Sequence, residues 1–316
     1  MKKFLIRLSL FSCIALLATS LVLMKYGGYI DYFYLKFTTP KQHSFILGDS
    51  RSFQGIQPRI VDAELKDKGF ELPMFNYSFT ITQAAYGPAY TESVKRKMDP
   101  DTKNGLFIIN VNPWVLAQRE KDDFENGIFM EADHPPHNMR WVNMNPNFEY
   151  VVKNFNYLHI RALFKQNSEL HPDGWMEERN LPKDSATFVG WKQNQYKIYN
   201  GFAQRWKKCD YRIRALKEMI QFLEQHGTVV LVRMPVDEKL QEIETNFWPE
   251  FDTTIEKLAK TTNVSYFNLL KNNKYKTYDG NHIDKFGGVA FTKDLCQLIL
   301  KQKNSPNIPH CALPKK

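Results

Sequence analysis

At 316 residues the chain is long enough to bury one large core, most simply a single domain carrying an insertion. Hydrophobic residues make up 43% and charged residues 24%, which excludes a disordered composition. The formal charge is +9, but five basic residues and one acidic residue lie within 1–40, so the remainder carries an excess of only five. With no nucleic-acid-binding motif beside it, that excess argues against a nucleic-acid partner and suits a domain near an anionic surface.

Lys2, Lys3 and Arg7 precede a nearly uncharged run from Leu8 to Met24, and Phe4 to Ile6 extend it past Arg7. At about 1.5 Å of rise per residue this run reaches the short end of the membrane-spanning range. A cleaved signal peptide needs small residues at its cleavage site, yet Leu21-Val22-Leu23-Met24 stays apolar up to Lys25. Cys13 after Leu10-Phe11-Ser12 resembles a lipoprotein site only faintly, because Arg7 interrupts the short run before it. The segment reads as an uncleaved anchor whose basic end stays in the cytoplasm, with the rest of the chain exported. Tyr26, Tyr29, Tyr32, Phe33 and Tyr34 then fit an interfacial aromatic belt. Residues 1–40 form the anchor and juxtamembrane segment, and 41–316 the exported domain.

Beyond the anchor, strand and helix patterns alternate. Phe45 to Leu47 reads as a buried strand, and Pro58 to Lys68 as a helix opened by proline and closed by Gly69. Met74 to Tyr77 is a short strand, about Gln83 to Met98 a helix, and Leu106 to Val111 a third strand. The pattern breaks from about Trp114 to Arg205 and resumes with a helix from about Trp206 to Gln225, where Ile213, Leu216, Ile220 and Leu223 recur at helical spacing. Thr228 to Val232 is a β-branched strand, and a helix follows from about Leu240 to Leu258 with Pro249 as a possible break. Val264 to Asn268 is the last strand, and a helix from about Gly288 to Lys301 closes the domain. Five strands alternating with helices predict an α/β fold, a doubly wound parallel sheet with helices on both faces.

The insertion, about 114–205, is rich in aromatic residues and holds Trp114, Trp141, Trp175 and Trp191. Within it Phe148, Val151, Val152, Phe155 and Leu163 fit a helix docked on the core. The rings suit a packing subdomain, or a lid or wall against a sugar, since rings present rigid surface with a polar tip. The cysteines, at 13, 209, 296 and 311, form neither a metal-ligand spacing nor a disulfide framework. Cys296 and Cys311 leave open a bridge between the last helix and the tail, or two free thiols.

Two short motifs carry chemistry. Gly48-Asp49-Ser50-Arg51 follows the first strand, and Asp279-Gly280-Asn281-His282 follows the last. Residues just past strand ends are where open α/β sheets place their chemistry. A serine hydroxyl is a poor nucleophile near neutrality without a base beside it. Histidine is the usual base, and a carboxylate fixes its tautomer. Each residue also has a plain structural role: Ser50 as a helix cap, Asp279 in a turn before Gly280, His282 on the surface.

These motifs resemble the first and fifth blocks of the SGNH (GDSL-type) hydrolase superfamily, over nearly the whole exported part. The resemblance implies a flavodoxin-like sheet, with Ser50 as nucleophile, His282 as base and Asp279 supporting it. It implies no metal or cofactor. It also implies an oxyanion hole made by the Ser50 N–H, an N–H after the second strand and an asparagine side chain after the third. Asn112 stands at the asparagine position, with Asn110 as rival on the same strand face. In Asn76-Tyr77-Ser78, Ser78 stands where the family has glycine. Arg51 is placed either to bind an anionic substrate group or to pair with a carboxylate. The anchored members, similar to proteins of lipoteichoic-acid D-alanylation and alginate O-acetylation, imply an esterase or O-acyltransferase on envelope glycans or related polymers, working with a membrane-bound O-acyltransferase. The alternative is a catalytically silent scaffold that binds polymer or such an acyltransferase.

Overall fold

The structure, a computed structural model, describes residues 1–27, 31–154, 168–272 and 274–304. Helix α1 (Lys2–Tyr26) stands out from the rest of the molecule. It is the one helix among the described residues long and apolar enough to cross a membrane. Tyr29 of the expected aromatic belt lies outside the described residues.

The core is a five-stranded parallel sheet in the order β2-β1-β3-β8-β9, comprising Met74–Asn76, Ser44–Leu47, Gly105–Asn110, Gly227–Arg233 and Ser265–Asn268. Counting these strands in chain order, that is 2-1-3-4-5, the flavodoxin-like order, with its switch point beside the first strand. Alternate residues of each strand go to opposite faces. Phe45, Leu47, Phe107, Ile109, Val229 and Leu231 share one apolar cluster, while Ile46, Leu106, Ile108, Val230 and Val232 belong to another. Two apolar faces need two layers of cover. Helices α4 (Pro88–Lys97), α7 (Asp210–Glu224) and α9 (Phe251–Thr261) cover the first face. Helices α3 (Pro58–Leu65) and α10 (Lys285–Asn304) cover the second.

Several boundaries differ from the sequence reading, each for a local reason. The helix expected from Gln83 begins only at Pro88, whose ring favours the first helical position. The helix expected from Trp206 begins at Asp210, because Lys207–Lys208 (β7) pair antiparallel with Ala117–Gln118 (β4). The stretch from Leu240 to Leu258 divides at Trp248 and Pro249 into α8 (Glu238–Phe247) and α9.

Besides β4 and β7, three larger features escaped the periodicity altogether. They are α2 (Ser50–Gly55), the hairpin β5–β6 (Ser168–Leu170 and Met176–Glu178), and the long helix α6 (Ser185–Arg205). The helix expected near Phe148 is seen as α5 (Phe148–Asn154), with Tyr150 buried and Val152 facing solvent. Phe155 and Leu163 lie outside the described residues, as does Cys311; Cys296 is buried under the second sheet face.

Candidate active site

Ser50 is the first residue of α2, one residue beyond the turn that leaves β1. The turn depends on Gly48, whose φ of +140° suits glycine, and whose Cβ would lie 2.7 Å from both Asn110 Cβ and Ser52 Oγ. Asp49 caps the helix by accepting the Arg51 N–H. The carboxylate is then clamped from the neighbouring strand: Asn110 Nδ2 donates to Oδ1 and Asn112 Nδ2 to Oδ2, both at 2.7 Å. Ser50 is thus presented from a rigid corner at the carboxyl edge of the sheet.

The second motif folds into a turn that closes on itself. Tyr278 N–H donates to the His282 carbonyl at 2.9 Å, and Gly280 supplies a φ of +89°. Asp279 Oδ1 accepts the backbone N–H groups of Asn281 and His282, at 2.9 and 2.8 Å. Its Oδ2 lies 2.7 Å from His282 Nδ1, and Gln195 Nε2 on α6 donates to the same oxygen at 3.0 Å. Burial pushes the Asp279 carboxyl up, but the His282 imidazole and the backbone N–H groups of His282 and Asn281 outweigh it and hold it below the ordinary carboxylate range.

The two motifs meet across the molecule. His282 Nε2 lies 2.8 Å from Ser50 Oγ, so hydroxyl, imidazole and carboxylate form one continuous relay. The Tyr278 ring stacks beside the imidazole with centroids 5.8 Å apart, and its hydroxyl donates to Gln54 Oε1. Ser50 and His282 are each 8% exposed, so the relay sits in a largely dry environment with access to solvent. Such a chain can shift a proton from the hydroxyl to the imidazole while a fixed anion supports the resulting charge.

Other expected site residues are engaged differently. The Ser78 N–H is donated to Asn76 Oδ1 at 3.1 Å, a local Asx-type turn, and its hydroxyl accepts from Ser52 Oγ. Asn112 does not stand free at the strand end. Its Oδ1 accepts the N–H groups of Trp114 and Val115, capping a short 3-10 turn, while its Nδ2 holds Asp49. The substrate-binding role expected for Arg51 gives way to its other reading, a buried ion pair. The guanidinium is 1% exposed, with NH2 2.6 Å from Glu244 Oε1 and Nε 2.8 Å from Asn281 Oδ1. Glu244 also takes Trp114 Nε1 and Arg233, so Arg51 is anchored inward.

Sequence reasoning missed Gln195, Tyr278 and Asn281. Asn281 and Tyr278 lie within or beside the second motif; nothing local marks Gln195. Among the described residues, Glu169, His171 and Glu177 on the β5–β6 hairpin bring ligand atoms within 4.8 Å of one another. Both carboxylates already face cations, Arg179 and Lys285.

No protein-family model and no curated protein sequence matches this chain. Among solved structures, a carbohydrate acetylesterase from Sinorhizobium meliloti is 11% identical, covering 83% of this chain and 99% of its own, with a TM-score of 0.39. A lipase/acylhydrolase from Enterococcus faecalis is 12% identical, covering 86% and 100%, with a TM-score of 0.38. An inhibitor-bound aryl esterase of M. smegmatis is 8% identical, covering 82% and 99%, with a TM-score of 0.39. Likeness of this size leaves the geometry around Ser50 as the basis for a functional reading.

Proposed function

We propose that the chain is a serine esterase or O-acyltransferase of SGNH type, held to a membrane by α1, acting on O-acyl groups of an exported glycan or related polymer. The observation that carries this reading is the Ser50–His282–Asp279 relay, at 2.8 and 2.7 Å. Ser50 Oγ attacks the acyl carbonyl carbon while its proton passes to His282 Nε2, and the carbonyl π pair moves onto oxygen. Asp279, held ionised, keeps Nδ1–H in place and stabilises the imidazolium. Collapse expels the alcohol, which takes the proton from Nε2, and leaves an ester on Ser50. A water or sugar hydroxyl then gives its proton to Nε2 and attacks that ester carbonyl; collapse breaks the acyl bond to Ser50 Oγ, which takes the proton back from Nε2, and the acyl group leaves as acid or new ester. Hydrolysis and transfer differ only in this acceptor.

The polymer substrate and the acetyl group follow from the resemblance of the two motifs to the anchored family members. The exported orientation follows from Lys2, Lys3 and Arg7 before the span. One observation favours the silent scaffold, a protein that binds polymer or a membrane O-acyltransferase without turning over: the Ser78 N–H is already committed to Asn76. Detergent-solubilised full-length protein, incubated with an aryl acetate and with an O-acetylated polysaccharide, separates the two. Acetate release by the wild type and none by Ser50→Ala supports the enzyme. Equal release by both overturns the Ser50 mechanism, and no release by the wild type leaves the scaffold.

A further inference from the structure

The negative charge that develops beside Ser50 calls for a donor besides the Ser50 N–H. Of the expected oxyanion donors, the Ser78 N–H is donated to Asn76 Oδ1, and the Asn112 amide is tied to Asp49 through Nδ2. Among the described residues, one other side-chain amide reaches the reacting atoms. Asn281 Nδ2 lies 3.0 Å from His282 Nε2, the same nitrogen that Ser50 Oγ approaches at 2.8 Å. We propose that Asn281 is a catalytic residue, whose amide N–H reads the basic form of His282 before attack and is donated to the oxyanion during it. The inference rests on Ser50 being the nucleophile.

The direction of the amide is fixed by its surroundings. Arg51 Nε can only donate, so the Asn281 atom 2.8 Å from it must be oxygen, which turns Nδ2 toward the imidazole. Arg51 is held in turn by Glu244 at 2.6 Å, and Glu244 by Trp114 Nε1 at 2.9 Å and Arg233 at 3.0 Å. Asn281 is itself only 1% exposed, so no solvent competes for its groups. The buried ion pair behind α2 thus aims one amide from the other motif.

An amide N–H pointing at Nε2 requires a lone pair there. It therefore fits the tautomer with its proton on Nδ1, facing Asp279, which leaves Nε2 to accept the Ser50 proton. As Ser50 Oγ bonds to the carbonyl carbon, its proton moves onto Nε2 and that lone pair is used. The Asn281 N–H loses its acceptor as negative charge appears on the former carbonyl oxygen beside Ser50. A donor so released costs no reorganisation of its own, because Arg51 still holds the other end of the amide.

The test uses full-length protein in detergent and an alkyl fluorophosphonate, which phosphonylates a nucleophilic serine, with labelling rates measured across pH. The groups facing the imidazole are Asp279 and Tyr278 from its own loop and Ser50 from α2. Arg51 and then Glu244 on α8 stand behind Asn281, and Gln195 on α6 stands behind Asp279. Asn281→Ala is expected to slow labelling by about 10²–10³-fold, as for loss of one oxyanion donor. Asn281→Asp keeps the acceptor for Arg51 but sets an anionic oxygen at Nε2. Its pH–rate midpoint is expected to rise by about one unit or more, with the melting temperature little changed. A merely structural Asn281 would not move that midpoint. Labelling by Asn281→Ala within about threefold of wild type, or an unmoved midpoint in Asn281→Asp, overturns the proposal while leaving Ser50 as nucleophile. No labelling of the wild type overturns both.

Discussion

Asn112 Nδ2 donates to Asp49 Oδ2 at 2.7 Å, tying the end of β3 to the residue that precedes Ser50. Asn110, two residues earlier on the same strand face, does the same for Oδ1, so a single carboxylate is held in a two-sided clamp. The clamp makes the asparagines at this strand end structural partners of the Ser50 turn.

Asn112→Ala should therefore lose stability as well as rate. It removes one bond to a buried carboxylate and the cap on the Trp114 and Val115 N–H groups. Urea unfolding should show a loss of about 1–3 kcal/mol, and Asn110→Ala, which frees only Asp49, a smaller one. Wild-type stability in Asn112→Ala, with only the rate reduced, would mean that the clamp carries no load and that Asn112 acts on substrate alone.

The pair behind the site predicts a second stability effect. Glu244 is fully buried between Arg51 and Arg233; burial pushes its carboxyl up, but the two guanidinium groups outweigh this and hold it ionised. Glu244→Ala leaves the buried Arg51 without its ion-pair partner and Arg233 with Asp252 alone, and unfolding should show a loss of about 3–5 kcal/mol. A loss below about 1 kcal/mol would show that the pair contributes nothing to the fold around Asn281.

Much of this arrangement was legible in the sequence. Every strand of the central sheet was found, because β-branched and aromatic runs buried on both faces look alike in any parallel sheet. Ser50 stands just past β1, whereas the second motif lies in a turn well beyond Asn268, the end of β9, and reaches Ser50 through His282. Helix α6 was not legible: Tyr199 is its one fully buried residue, and Gly190 and Gly201 break its pattern. Its Gln195 reaches Asp279 across 84 residues of sequence, and Arg51 finds Glu244 across 193. A single sequence records residue types but not such pairings, so Arg51 remained open between substrate and carboxylate. The commitment of the Ser78 N–H to Asn76 is likewise a matter of backbone geometry.

Buried lysines give a pH signature. Lys97 is wholly buried, with Nζ donating to the carbonyl oxygens of Thr39 and Val142, and burial pushes its pKa down to about 7. The unfolded chain holds that proton to about pH 10, so between these values it binds more protons than the folded protein. Stability should then rise with pH across this window, by up to about 1.4 kcal/mol per unit, and the full burial cost should apply below it. Denaturant midpoints compared at about pH 7 and about pH 9 should increase in the wild type and increase less in Lys97→Met. An identical pH response in both would contradict the assignment.

The apolar helix α1 predicts how the protein fractionates. It should remain with membranes after an alkaline wash, and protease added outside should digest residues beyond 40. A soluble product lacking about the first 25 residues would instead identify α1 as a removed signal.

The central claim is that Ser50 is the nucleophile. Its most direct test is mass spectrometry of fluorophosphonate-treated protein, with the adduct mapped by peptide. One adduct is expected, on the peptide containing Ser50, absent in Ser50→Ala and slowed by about 10⁴-fold or more in His282→Ala. An adduct on another residue, or equal labelling in wild type and Ser50→Ala, would contradict it.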